Sequence, residues 1–220
     1  MSKLRKFGLI AVMAMLVSAV AASAAMATTA TPAGEAFTAS LKSSSITFKT
    51  GVGTTTCTGL ESGGTVPASP GNVNPTGAVT TNLVKPTFTG CTTTVFEIPG
   101  ATTTTVTTND QWQVEVESLL GGPPPVARII APNNGMIVKV VVLGGAATCV
   151  AEGRGEGFKL AGAWENGSPT SVIHLKENGV PVKVTGTGLL GGLCNEPVAT
   201  AEITADLAVD GVSNPIQVTE

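Results

Sequence analysis

The chain has no tyrosine, one histidine, two tryptophans and six phenylalanines, so aromatic residues fill only 4% of its 220 positions. Charge is scarce too, at 12% where average soluble domains carry about 25%. Each shortage weakens a class of function. A Ser-His-Asp hydrolase needs a histidine positioned by an acid, and only His174 is available. A carbohydrate site wants aromatic platforms, and few rings are on offer. A nucleic-acid binder needs clustered Lys and Arg to displace counterions, yet beyond Arg5-Lys6 no two basic residues are adjacent. No cysteine pair has C-x-x-C spacing, which leaves a zinc site without its usual ligands. No cofactor motif and no metal-ligand cluster can be read.

What the chain does have begins with its first 27 residues. Lys3, Arg5 and Lys6 precede a mostly apolar run from Gly8 to Val20, and Ala25-Met26-Ala27 supplies a small-x-small cleavage site. Ala22-Ser23-Ala24 is an alternative cut. These features predict a signal peptide over residues 1–27 and export. The competing reading is an uncleaved anchor, because residues 7–27 approach the length of a bilayer span, but alanine dominates that stretch and small residues gather at its end. Twin arginines are absent, no cysteine follows the cut, and Asn214 to Glu220 is no hydrophobic tail. Removal of the leader is expected to leave a soluble chain without a membrane span, secreted or held at the cell surface.

Without residues 1–27 there are 193 positions, and because three of the 12 basic residues go with the leader, nine basic face 15 acidic side chains. This length can bury one sizeable core unaided by metals. Threonine stands in for the missing charge: 25 of 32 lie between Thr28 and Thr108, and a β-branched hydroxyl residue suits a pleated surface. The array has no fixed repeat of the kind a solenoid or flat hydroxyl surface requires.

Residues 28–34 are too polar to pack and are expected to form a mobile arm. From Glu35 onward short alternating runs are punctuated by Gly, Pro and Asn, the pattern of many short strands. In Gln111 to Glu117, alternation sends Trp112, Val114 and Val116 to a buried face. Met136 to Leu143 is nearly continuous in apolar residues and reads as a central strand covered on both faces. With no crossover helices, the fold class is all-β, an antiparallel β-sandwich or partly closed barrel over residues 35–220. Residues 67–76 read as a surface loop. Gly121-Gly122-Pro123-Pro124-Pro125 is either a linker between two halves or, as we prefer, a loop within one domain. A faint repeat relates Ile46–Cys57 to Val138–Cys149.

Four cysteines in an exported chain imply two disulfides, with three possible pairings. Pairing Cys57 with Cys91 and Cys149 with Cys194 closes the shorter loops, and both bridges are read as structural. The order Cys149, Trp164, Cys194 invites comparison with the immunoglobulin pattern, but without tyrosine the corner before the second cysteine cannot form, and the spacing is taken as coincidence.

Chemistry is hard to find. His174 sits in an alternating strand and reads as a solvated position. Carboxylate pairs that could serve glycoside hydrolysis are Glu115 with Glu117, Glu152 with Glu156, and Glu202 with Asp206 and Asp210, each also explained as a solvated face. Glu152-Gly153-Arg154-Gly155-Glu156-Gly157 offers too few oxygens for calcium. Asn166-Gly167-Ser168 is a formal glycosylation sequon.

The segments Phe37-Thr38-Ala39, Cys57 with Gly63-Gly64-Thr65-Val66-Pro67, and Pro86-Thr87-Phe88-Thr89-Gly90-Cys91-Thr92 resemble small exported β-rich proteins of actinobacteria. Through Phe37-Thr38-Ala39 and Phe88-Thr89-Gly90 the chain is also similar to exported proteins labelled activators of alkane oxidation. The resemblance implies an exported β fold and brings no catalytic residues. The expected function is a non-enzymatic binding or envelope-structural role. The alternatives are a carboxylate-dependent extracellular hydrolase and a sandwich that binds an apolar ligand. The partner is unknown: no nucleic acid is expected, and the chain is open to being a cell-envelope component.

Overall fold

A computed structural model describes residues 27–95, 102–109, 112–118, 124–132, 135–153 and 158–220. The strands are β1 (Thr28–Thr31), β2 (Ala36–Leu41), β3 (Ile46–Lys49), β4 (Gly53–Thr65), β5 (Val73–Asn74), β6 (Val79–Val95), β7 (Thr102–Thr108) and β8 (Trp112–Glu117). They continue with β9 (Val126–Ala131), β10 (Met136–Val142), β11 (Ala147–Gly153), β12 (Phe158–Glu165), β13 (Thr170–Thr187), β14 (Glu196–Gly211) and β15 (Gln217–Thr219). Two short 3-10 turns, Leu143–Gly145 and Gly191–Cys194, complete the described elements.

The strands close into a barrel. β14 pairs with β13 on one edge and with β2 and β3 on the other, and β2 and β3 both pair with β4. From β4 the ladder runs through β6, β8, β9 and β12 and returns to β13. With β2 and β3 sharing one position, this is a closed eight-stranded antiparallel barrel. Closure removes the exposed edges that an open sheet would present. The strands on either side of the glycine-proline segment at 121–125, β8 and β9, are neighbours in this ring.

The longest strands also build a second storey. Beyond its pairing with β12, β13 pairs through its C-terminal half with β11, and the ladder goes on through β10 to β7. β7 comes back beside β6, where Thr104 Oγ1 donates to Thr93 Oγ1 at 2.9 Å and the Thr108 hydroxyl donates to the Pro86 carbonyl. β10 thus lies in a wall with one inner face: Met136, Val138 and Val140 are buried, while Ile137 and Val141 are half-exposed. The expected cover on both faces is absent because β10, paired between β11 and β7 in the second storey, turns only one face to the packed interior.

Bulges let one strand serve both storeys. In β13 the register shifts between Glu177 and Val180, at Gly179 with φ of 79°. An extra residue reverses the side-chain phase, so Ile173 and Leu175 before it and Val180, Val182 and Val184 after it are all buried. β14 keeps one phase from Ala199 to Val209, with Ala199, Ala201, Ile203, Ala205, Leu207 and Val209 all buried, and its own extra residue falls between Glu196 and Ala199.

The mobile arm expected at 28–34 is instead β1, hydrogen-bonded between β15 and β5 across the lower end of the barrel. Its polar sequence hid this because the hydroxyl of the fully buried Thr28 is satisfied by Ser118, accepting from the Ser118 N–H at 3.1 Å. Asn72 fastens the same strand, accepting from Ala30 N through its carbonyl at 2.9 Å and donating Nδ2 to the Ala30 carbonyl at 3.0 Å.

Candidate functional site

The lower storey encloses a cavity of about 70 Å³. Alternation on the surrounding strands aims Trp112, Val114, Leu160, Ile173, Leu175 and Leu207 into it, and Ala30, Ile216 and Val218 of the end cap close it below. Among the described residues, Ser62 and Thr81 bring the only side-chain hydroxyls to its wall. Both hydroxyls are committed to backbone, Ser62 to the Val84 carbonyl at 2.6 Å and Thr81 to that of Thr65. Ser62 lies within the register shift between Glu61 and Gly63, the one irregularity in the β4–β6 ladder.

A second cavity of about 50 Å³ occupies the upper storey, among Val138, Val140, Val182 and Val184. Phe48 and Met136 line both spaces and form the partition between them. The upper wall carries a buried hydroxyl pair, with Thr55 Oγ1 and Thr93 Oγ1 2.8 Å apart. Among the described residues no titratable side chain lines either cavity, because the one cysteine there, Cys149, is bonded to Cys194.

The four cysteines singled out in the sequence pair as Cys57–Cys91 and Cys149–Cys194. Cys57 and Cys91 face each other directly across β4 and β6. Cys149–Cys194 ties β11 to the 3-10 turn that follows β13. The two segments of the faint repeat are both hairpins, β3–β4 and β10–β11, each carrying its cysteine on the second strand.

The charged candidates lie on the outside. Glu117 accepts from Arg128 at 2.7 Å, and Glu115 lies 3.7 Å from Lys159. Glu202 is opposite Lys49, and Asp210 accepts from the Thr170 hydroxyl. Glu152 is opposite Lys183, whereas Glu156 and the rest of 154–157 lie outside the described residues. None of the described acids reaches the cavities. Among the described residues no group of His, Cys, Asp and Glu could hold a metal ion.

His174 is half-exposed on the barrel exterior between two carboxylates on neighbouring strands. Its Nε2 is 3.0 Å from Glu165 Oε2 and its Nδ1 is 2.8 Å from Asp206 Oδ1. The hydrogen bond to Glu165, then that to Asp206, raises the histidine above its ordinary pKa, with desolvation acting in the opposite direction. The same hydrogen bond holds Glu165 below the usual carboxylate range. This arrangement favours a stable imidazolium, which is a poor general base.

Asn166, the sequon residue, is committed to structure. Its Oδ1 accepts from Trp164 Nε1 at 2.7 Å and from Val218 N at 2.8 Å, and its Nδ2 donates to the Val218 carbonyl at 2.7 Å. Its side chain pairs with β15 as a backbone would. Sequence reasoning missed the cavities themselves, because a void depends on how side chains from distant strands meet.

Fold and site together define a closed antiparallel barrel with an apolar, divided interior. No family model matches the chain, and neither a curated protein nor a solved structure matches it.

Proposed function

We propose that this chain is an exported, non-catalytic barrel that binds a small apolar molecule in its lower cavity. The observation that carries this reading is the cavity wall, apolar apart from two hydroxyls already bonded to backbone. Eight strands enclose an interior that side chains either fill or leave open for one small ligand. Here they leave part of it open. A void lined by carbon stays dry and gains dispersion contacts when an apolar solute enters. A cavity of about 70 Å³ is smaller than the engineered one of about 150 Å³ that admits benzene. A compact solute fits as the side chains stand, and a longer one has to displace Met136 or Phe48. The absence of an acid or base on the described walls supports binding over chemistry. The two disulfides suit an oxidising compartment, in keeping with the expected leader.

Thermal unfolding with and without pressurised xenon, a compact apolar solute, in the wild type and in Val114→Phe, tests this reading. Ligand that binds only the folded state raises the midpoint. The expected result is a rise in the wild type that is lost when the phenylalanine ring occupies the space. No rise in the wild type, or an equal rise in the variant, would refute binding at this place.

A further inference from the structure

At the top of the barrel, β13 ends in a turn that turns apolar side chains outward. Leu189 is 97% exposed, Leu193 63% and Leu190 43%, three large apolar residues within five positions. Exposed apolar clusters of this kind mark interaction sites more often than isolated surface leucines do.

The turn is built to hold that shape. Cys194 is bonded to Cys149, Leu190 N donates to the Ala146 carbonyl at 3.2 Å, and Gly186 N donates to Asn195 Oδ1 at 2.8 Å. Gly188 takes a φ of 91°, and the turn folds back so closely that a Cβ on Gly186 would stand 1.8 Å from the Gly191 carbonyl oxygen. Its leucines are therefore pre-ordered, and immobilising them on a partner costs little backbone entropy.

Charge is absent from the turn and from the hairpin beside it. No charged residue occurs between Lys183 and Glu196, nor between Lys139 and Glu152 in the adjoining hairpin. The turn also stands on the rim of the upper cavity, whose wall includes Cys149 and Val184.

We propose that the Leu189–Leu193 turn is a contact for a lipid surface. At these exposures the three leucines offer at most roughly 300 Å² of apolar area, well below the ~800 Å² per partner of a standard protein interface. A glycine-flanked tip of that size cannot supply a stable protein docking face. A fluid lipid interface conforms to it and takes in leucine side chains without shape complementarity. The excess of acidic side chains outside the leader gives no attraction to anionic headgroups, so the surface it fits is zwitterionic and the contact rests on burial rather than charge.

Flotation of the exported protein, its N-terminus sequenced, with phosphatidylcholine vesicles tests the proposal. The wild type is expected to float with the vesicles, to do so equally at raised salt, and to float less when phosphatidylglycerol is added. Leu189→Ser with Leu193→Ser should cut the bound fraction at least tenfold with unchanged circular dichroism and unfolding midpoint. Should the double variant lose its fold, Leu189→Ser alone should still cut binding severalfold. No flotation of the wild type, equal flotation of the folded variants, or a dimer in sedimentation that the leucine substitutions abolish would overturn it, the last by making a second copy the partner. Xenon binding in the lower cavity is read separately and is expected to survive these substitutions.

Discussion

The rings of Phe48 and Phe88 meet edge to face, with centroids 5.5 Å apart and planes at 78°. This contact fixes Phe48 where it divides the lower cavity from the upper one. Such a pair contributes about 0.5–1.5 kcal/mol beyond the area it buries. Phe48→Ala should merge the two spaces and destabilise the fold by about 3–5 kcal/mol. Urea unfolding measures the cost, and cyclohexane, too bulky for the divided interior, should then raise the unfolding midpoint of the variant but not of the wild type.

The second prediction concerns Asn166. Its amide makes two hydrogen bonds to the Val218 backbone and takes a third from Trp164. Asn166→Ala strands these groups, at a cost of about 1–3 kcal/mol for buried polar atoms left unpaired. Hydrogen exchange should show faster exchange along β15 and β1 than on the barrel strands. Uniform exchange would mean that the cap does not depend on this residue.

His174 carries a prediction about pH. Its folded pKa lies above its ordinary value of 6.5, through Glu165 first and Asp206 second. A raised folded value means that the contribution to stability is fully present below the unfolded pKa and is lost as pH rises through the folded one. Stability should therefore decline over the window that begins near the unfolded value and ends above the folded value. His174→Gln should flatten that decline. Glu165, lowered from 4.5, contributes in the opposite sense, with stability lost as pH falls through its folded value. Denaturant unfolding across pH, with an NMR titration of the single imidazole, checks both signs.

The disulfides close loops of 34 and 45 residues, for which chain entropy allows roughly 4 kcal/mol each at most. Replacing Cys149 and Cys194 with Ser should cost about 2–4 kcal/mol. It should also expose the 187–195 turn to protease before the rest of the barrel. Limited proteolysis with mass-spectrometric mapping reads the order of cleavage, and a first cut elsewhere would separate the bridge from the turn.

Much of the wall was legible from local pattern. Alternation in β8 placed Trp112, Val114 and Val116 on the buried face, and β14 shows the same regularity. Strand length was not legible. Pro86, Gly90 and Gly179 read as breaks, yet β6 and β13 pass through them, because bulges and positive φ at Gly90 and Gly179 absorb the irregularity. Thr28–Thr31 looked too polar to pack, and its burial depends on Ser118, 90 positions away. His174 was readable as an outward strand position. Its partners, 9 and 32 positions off, emerge only from strand register. The cavities lie furthest from the sequence, since they arise where side chains of many strands fail to meet.

The most direct test of an open, apolar interior is a crystal of the protein pressurised with xenon. Density for xenon is expected in the lower cavity, beside Trp112, Val114, Leu160 and Ile173, with those side chains unmoved. Diffraction data showing no xenon there, and side chains closed over the space, would contradict a ligand-binding barrel.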